Sequence, residues 1–149
     1  MMHIHVSITD QSLTLMNENE VLAQYVISSA ANGIGFEEGS YCTPTGRFEI
    51  SEKIGGSEAP GTIFRARKPE GVWTGQEEQG DLVLTRILRL HGLDPENANS
   101  MERYIYIHGT NHEDLLGQPA SCGCIRMGNK DVIDLYARIE EGTRVVIDS

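Results

Sequence analysis

The sequence predicts a mainly β domain with one principal helix. Three observations predict it: short runs of alternating apolar residues, turn chemistry between those runs, and a single segment with helical spacing late in the chain. At 149 residues the chain has the size of one domain, residues 1–149, and can bury about two-thirds of its unfolded surface around one core.

Ile4, Val6 and Ile8 alternate with polar partners, which marks residues 4–8 as a strand. Residues 13–16 and 21–28 supply the next two, joined by the turn composition Asn17-Glu18-Asn19-Glu20. Residues 30–46 are rich in glycine and small residues and close on Thr43-Pro44-Thr45-Gly46, a tight turn before the alternating strand Arg47-Phe48-Glu49-Ile50. Residues 51–80 hold six glycines, two prolines and the only tryptophan, Trp73, without sustained periodicity. That pattern reads as an irregular surface excursion, a lid or binding loop, with Trp73 either touching a ligand or anchoring the loop to the core. Residues 82–90 return to apolar alternation, interrupted by Arg86 and Arg89. Tyr104-Ile105-Tyr106-Ile107 is a strand rich in aromatic and β-branched residues, and residues 111–120 form a loop. Asn129 caps a helix in which Val132, Ile133, Tyr136 and Ile139 recur at helical spacing and which stops at Gly142. Residues 143–147 make a closing strand.

Composition removes several functions. Aspartate and glutamate number 22 against 12 lysines and arginines, a net charge of −10 with no basic cluster, so nucleic acid is not a partner. No stretch approaches the roughly 20 apolar residues of a membrane span. The first basic residue is Arg47, so no export signal is visible and a cytoplasmic location is expected, or a periplasmic one if a leader has been removed. Three cysteines, Cys42, Cys122 and Cys124, are too few and odd in number for a disulfide framework; reduced thiols are expected. No pattern specifies an oligomeric state.

The chemistry concentrates in two places. His108 ends an apolar strand and is followed by Gly109-Thr110; sixteen residues on, Cys124 lies in Ser121-Cys122-Gly123-Cys124-Ile125-Arg126-Met127. A free cysteine is only a few per cent thiolate at neutral pH, and a nearby imidazole raises that fraction. The histidine in turn needs an acceptor on its second ring nitrogen, and the Gly109 carbonyl is placed to be one. Gly123 lets the backbone bend so that its own N–H and that of Cys124 converge on an oxyanion. Arg126 offers a fork for a carboxylate, with Arg86 and Arg89 as further candidates. A zinc site from His108, His112, Cys122 and Cys124 is the competing reading, opposed by the single residue between the cysteines and by the loop position of His112. A redox role for Cys122-x-Cys124 lacks the Cys-x-x-Cys spacing, and a peptide-binding module without catalysis is the third alternative.

These motifs closely resemble the signature of the L,D-transpeptidase (YkuD-like) catalytic domain. Tyr25-Val26-Ile27-Ser28, Thr43-Pro44-Thr45-Gly46-Arg47-Phe48 and Glu141-Gly142-Thr143-Arg144-Val145 resemble its upstream and closing strands. The resemblance implies a β-sandwich or barrel-like domain acting on peptidoglycan stem peptides, with no metal or cofactor. By position it makes Cys124 the nucleophile, His108 the base and the Gly109 carbonyl its orienter. Gly123, Cys124 and Cys122 supply the oxyanion-hole N–H groups, and Arg126, Ser121 and Trp73 are the candidate substrate contacts. The family's motif usually has histidine where this chain has Cys122. Together with the expected location, the resemblance implies a cytoplasmic L,D-carboxypeptidase that removes terminal D-alanine from muropeptide tetrapeptides during recycling. L,D-transpeptidation is the second outcome.

Overall fold

Met2–Ser7 (β1) and Ser12–Asn17 (β2) pair antiparallel, with Ile4 opposite Leu15 and Val6 opposite Leu13, so the alternating residues of both strands bury one shared face. A tight turn through Glu18, which takes a φ of 54°, returns the chain into Glu20–Ser28 (β3). These coordinates, a computed structural model, describe residues 1–78 and 80–149; Gln79, inside the 51–80 segment, lies outside the described residues.

Gly46–Ile54 (β4) runs four residues further than the alternation in 47–50 indicates. The segment expected to be irregular then forms a hairpin, Thr62–Arg65 (β5) and Lys68–Val72 (β6). Two features hid it. Its turn residues, Ala66 and Arg67, both adopt the left-handed region (φ 48° and 66°) where Asn-Gly is the usual signal. Every residue of β6 is exposed, so no alternation exists to be read, and Pro69 and Gly71 suit an edge strand.

Leu84–Gly92 (β7), Tyr106–Gly109 (β8) and Ile125–Met127 (β9) follow, then the helix Asn129–Arg138 (α1) and Arg144–Asp148 (β10). β8 starts two residues later than expected because Tyr104 has a φ of 57°, which breaks the extended run. Gly128, not Asn129, is the helix N-cap; the Asn129 N–H is satisfied by the Glu113 carboxylate (2.8 Å). The helix buries Val132 and Leu135, and Ile139, just beyond its end, joins the same core.

The strand order is β4-β10-β1-β2-β3-β9-β8-β7, and β7 pairs back onto β4, so the sheet closes on itself as a barrel. The β5–β6 hairpin hangs from β7 through Ile63 opposite Leu84. Closure removes the free edges of these strands. The pairs β1–β10 and β8–β9 are parallel. The second of these sets the site.

Candidate active site

In the β8–β9 ladder Ile107 faces Ile125 and His108 faces Arg126. Both isoleucines are buried in the barrel core, so the alternating neighbours must project to the other face. Those neighbours are Tyr106 and His108 on β8, with Cys124 and Arg126 at β9. Two residues along the ladder therefore separate the thiol from the imidazole, on one face. The hairpin covers that face: Phe64 packs with Ile87 and Tyr106, and Cys124 lies against this cluster.

His108 is 1% exposed, and its Nδ1–H donates to the Gly109 carbonyl at 2.6 Å. That bond assigns the proton to Nδ1 and leaves the lone pair on Nε2, the arrangement a general base requires. Burial pushes the imidazole pKa below its ordinary value; the Asp81 charge and the Gly109 carbonyl act the other way, and Arg126 adds to the lowering. Position 109 has no room for a side chain. A Cβ there would lie 2.3 Å from Asn129 Oδ1 and 2.7 Å from the Leu84 carbonyl oxygen.

The Cys124 thiol donates to the Tyr104 carbonyl (3.3 Å) and accepts the Tyr106 N–H (3.3 Å). Burial pushes its pKa up to about 12. Both shifts favour a neutral thiol beside a neutral imidazole. Among the described residues no hydrogen bond joins Sγ to His108.

The turn before Cys124 is held from both sides. Ser121 Oγ donates to the Cys124 carbonyl (2.6 Å) and accepts the Gly123 N–H (3.2 Å), while Thr43 Oγ1 donates to the Gly123 carbonyl (2.9 Å). Gly123 takes a φ of 128°, open to glycine and strained for other residues. Two expectations change here. The Gly123 N–H, expected among the oxyanion donors, is engaged by Ser121, whereas the N–H groups of Cys122 and Cys124 have no acceptor among the described residues. Ser121 is 3% exposed and braces the turn instead of meeting substrate.

The arginine assignments also change. Arg126 is 3% exposed, its Nε donates to Asp81 Oδ1 (3.1 Å), and its Nη1 is buried without a partner. It is an internal charge beside His108, not an open clamp. Arg86 donates to the carbonyls of Glu58 and Thr85 and lies over the Tyr136 ring. Arg89 pairs with Glu52 and donates to the Met101 carbonyl. Both are occupied by the scaffold. Trp73 gives its indole N–H to the Gln76 carbonyl (2.9 Å) and lines a groove beside the start of α1 with Pro60 and Asp131, away from Cys124. Asp81 is the site residue that sequence reasoning missed, because no local pattern announces a partner 45 positions away.

Cys124 opens onto a groove of about 190 Å³ bounded by Tyr41, Tyr104 and Ile105, with Glu38, Glu102 and the exposed Cys122 at its rim. His112 is directed elsewhere, its Nε2 donating to the Gly80 carbonyl (2.9 Å). Among the described residues no three histidine, cysteine or acidic side chains converge as metal ligands. The arrangement is suited to acyl transfer: a thiol, a base with a fixed tautomer, and two free N–H donors.

Comparison with known proteins identifies the family and the fold. YkuD of Bacillus subtilis, named as an L,D-transpeptidase, is 35% identical over 146 residues, 98% of this chain and 65% of its own length. YqjB of the same organism, named likewise, is 34% identical over 105 residues, 70% of this chain and 51% of its own length. The chain thus spans just under two-thirds of the first relative and half of the second. Solved structures share the fold: an L,D-transpeptidase from Mycobacterium smegmatis (TM-score 0.63, 16% identity) covers 99% of this chain, which spans 58% of it. L,D-transpeptidase 3 from Mycobacterium tuberculosis, in complex with a faropenem-derived adduct, gives a TM-score of 0.64 at 16% identity, with 99% of this chain and 60% of that one covered. The model of the YkuD L,D-transpeptidase catalytic domain matches residues 1–147, and this chain belongs to that family.

Proposed function

We propose that the chain is a cysteine-dependent L,D-carboxypeptidase of peptidoglycan stem peptides, releasing terminal D-alanine from tetrapeptides through an acyl-enzyme on Cys124. The observation that carries the acyl chemistry is the shared face of His108 and Cys124, with the imidazole tautomer fixed by the Gly109 carbonyl. Family membership supports the substrate class. The groove beside Cys124, about 190 Å³ and open to solvent, leaves the thiol within reach of water.

Substrate binding displaces the thiol from the Tyr104 carbonyl, and the thiol proton passes to His108 Nε2. The Sγ–C bond forms at the L-centre carbonyl, and the oxyanion takes the N–H groups of Cys122 and Cys124, each worth roughly a hundred- to a thousandfold in rate. The C–N bond to D-alanine breaks as its amine takes the proton from His108. Water then gives a proton to Nε2 and attacks the thioester, and the proton returns to sulfur as tripeptide leaves. Three free thiols, Cys42, Cys122 and Cys124, favour a reducing compartment, and trimming of recycled muropeptides in the cytoplasm is part of the proposal.

Incubation with a muropeptide tetrapeptide and mass analysis of the products tests it. Tripeptide plus D-alanine, lost in Cys124→Ala, is the expected result. A cross-linked or D-amino-acid-exchanged product as the main species would overturn hydrolysis in favour of transpeptidation. Because the tuberculosis relative carries a faropenem-derived adduct, faropenem adding mass to Cys124 is an independent check on the acyl-enzyme.

A further inference from the structure

Arg126 stands opposite His108 in the β8–β9 ladder, on the same face and almost wholly buried, with Nη1 unpartnered among the described residues. Base catalysis requires His108 to become an imidazolium in that place. Two buried cations side by side in a low-dielectric site repel strongly. Among the described residues one acidic group meets this pair: Asp81, whose Oδ1 accepts the Arg126 Nε–H at 3.1 Å. The other charges near the strand are turned away. Arg86 on β7 is committed to the Glu58 and Thr85 carbonyls and the Tyr136 ring, and α1 presents the neutral Asn129 to the Thr110 carbonyl. Cys124, before β9, and Tyr106, whose hydroxyl accepts a hydrogen bond from Arg67 (3.1 Å), are the other titratable side chains on this face among the described residues.

Asp81 is also delivered to its place. Asn111, three residues after His108, donates from Nδ2 to the Glu78 and Gly80 carbonyls (3.1 Å each) and accepts the Leu82 N–H on Oδ1 (3.0 Å). His112 Nε2 adds a bond to the Gly80 carbonyl (2.9 Å). The residues that follow the base thus grip the backbone on both sides of Asp81.

We propose that Asp81 is a positioning residue for acyl transfer: by neutralising Arg126 beside His108, it lets the buried imidazole carry the proton taken from Cys124. Asp81 touches no reacting atom and acts through Arg126. The inference rests on His108 being the base. Without the carboxylate, the uncompensated guanidinium stabilises the thiolate and destabilises the imidazolium, so the thiol labels more readily while turnover falls. Burial alone does not produce that opposed pair of effects, and the direction agrees with Asp81 raising the pKa of both groups.

The test follows the rate of iodoacetamide labelling of Cys124, located by peptide fragmentation, at fixed pH between about 7 and 9, beside turnover of the stem tetrapeptide. In Asp81→Asn labelling at each pH quickens about tenfold while turnover falls about tenfold or more. The double variant Asp81→Asn, Arg126→Met, which removes both charges, returns the labelling rate toward wild type. An unchanged labelling rate in the folded single variant, with only a lower Tm, would make Asp81 a structural brace and end the proposal, as would a double variant labelling like the single one. Failure of the underlying reading looks different: His108→Ala would then turn over as fast as wild type, whatever Asp81→Asn does to labelling.

Discussion

Gly109→Ala separates orientation of the base from its presence, and the structure sets its cost. The added Cβ would stand 2.3 Å from Asn129 Oδ1, 2.7 Å from the Leu84 carbonyl oxygen and 3.1 Å from Thr85 Cβ. The Leu84 carbonyl is backbone on the paired strand and cannot swing aside. Asn129 cannot yield cheaply either: its Oδ1 accepts Thr85 Oγ1–H (2.6 Å) and its Nδ2 donates to the Thr110 carbonyl (2.8 Å). Overpacking costs about 1–3 kcal/mol, and each lost hydrogen bond about 1 kcal/mol. The expected destabilisation is therefore roughly 3–5 kcal/mol, a fall in Tm of about 10–15 °C for a chain of this size. The same displacement draws the Gly109 carbonyl away from His108 Nδ1, where it fixes the tautomer. Turnover on the tetrapeptide, measured well below the variant's Tm, should fall by about a hundredfold or more, by analogy with loss of the orienting group in other triads. A variant that melts within about 2 °C of wild type and turns over within about threefold would refute both the packing argument and the orienting role.

Two further outcomes follow from the same geometry. Ser121→Ala removes the acceptor of the Gly123 N–H and the donor to the Cys124 carbonyl, so it should cost about 1–3 kcal/mol and lower turnover without changing the groove's affinity for peptide; a KM effect alone would show that Ser121 meets substrate after all. Stability should also be greatest between about pH 6.5 and 8.5. His108 has a folded pKa below its unfolded value, so the unfolded chain binds the proton first and stability falls as pH drops below about 6.5. Cys124 has a folded pKa pushed up to about 12, so stability is lost as pH rises from the unfolded thiol value toward it. Thermal melts across this range should show a flatter acid slope in His108→Gln and a flatter alkaline slope in Cys124→Ala, and wild-type slopes in either variant would sink the corresponding assignment.

Most of the barrel was legible because each of its outer strands carries its own signal. Ile4 and Val6, Leu13 and Leu15, and Phe48 and Ile50 alternate within their strands, and burial follows that alternation residue for residue. What failed to show lacks a local cause. β9 is three residues long and fully buried, so it offers no period to read. Thr85 takes a φ of 77°, unusual for a β-branched residue, and shifts the β7–β8 register there. No propensity argument foresees that strain. At the site, the seating of His108 on the Gly109 carbonyl, with Cys124 on the same face, was readable from residue types in order. The roles of Ser121, Arg126 and Trp73 were not, because whether a polar side chain meets ligand or scaffold depends on partners such as Asp81 and Gln76 that only the fold brings to it.

The neutral resting pair bears on why the thiol is kept away from its base. Held on the Tyr104 carbonyl and the Tyr106 N–H beneath Phe64, the Cys124 thiol has little thiolate character and resists indiscriminate electrophiles and oxidants. Under the proposed mechanism activation takes two events that a bound peptide would supply together: displacement of the thiol from Tyr104, and a carbonyl whose oxyanion engages the Cys122 and Cys124 N–H groups. The energy to form the imidazolium would then be drawn from substrate binding in the transition state, not from a preformed ion pair. The Cys122 backbone N–H has no acceptor among the described residues, and its exposed side chain lines the groove that Cys124 opens onto.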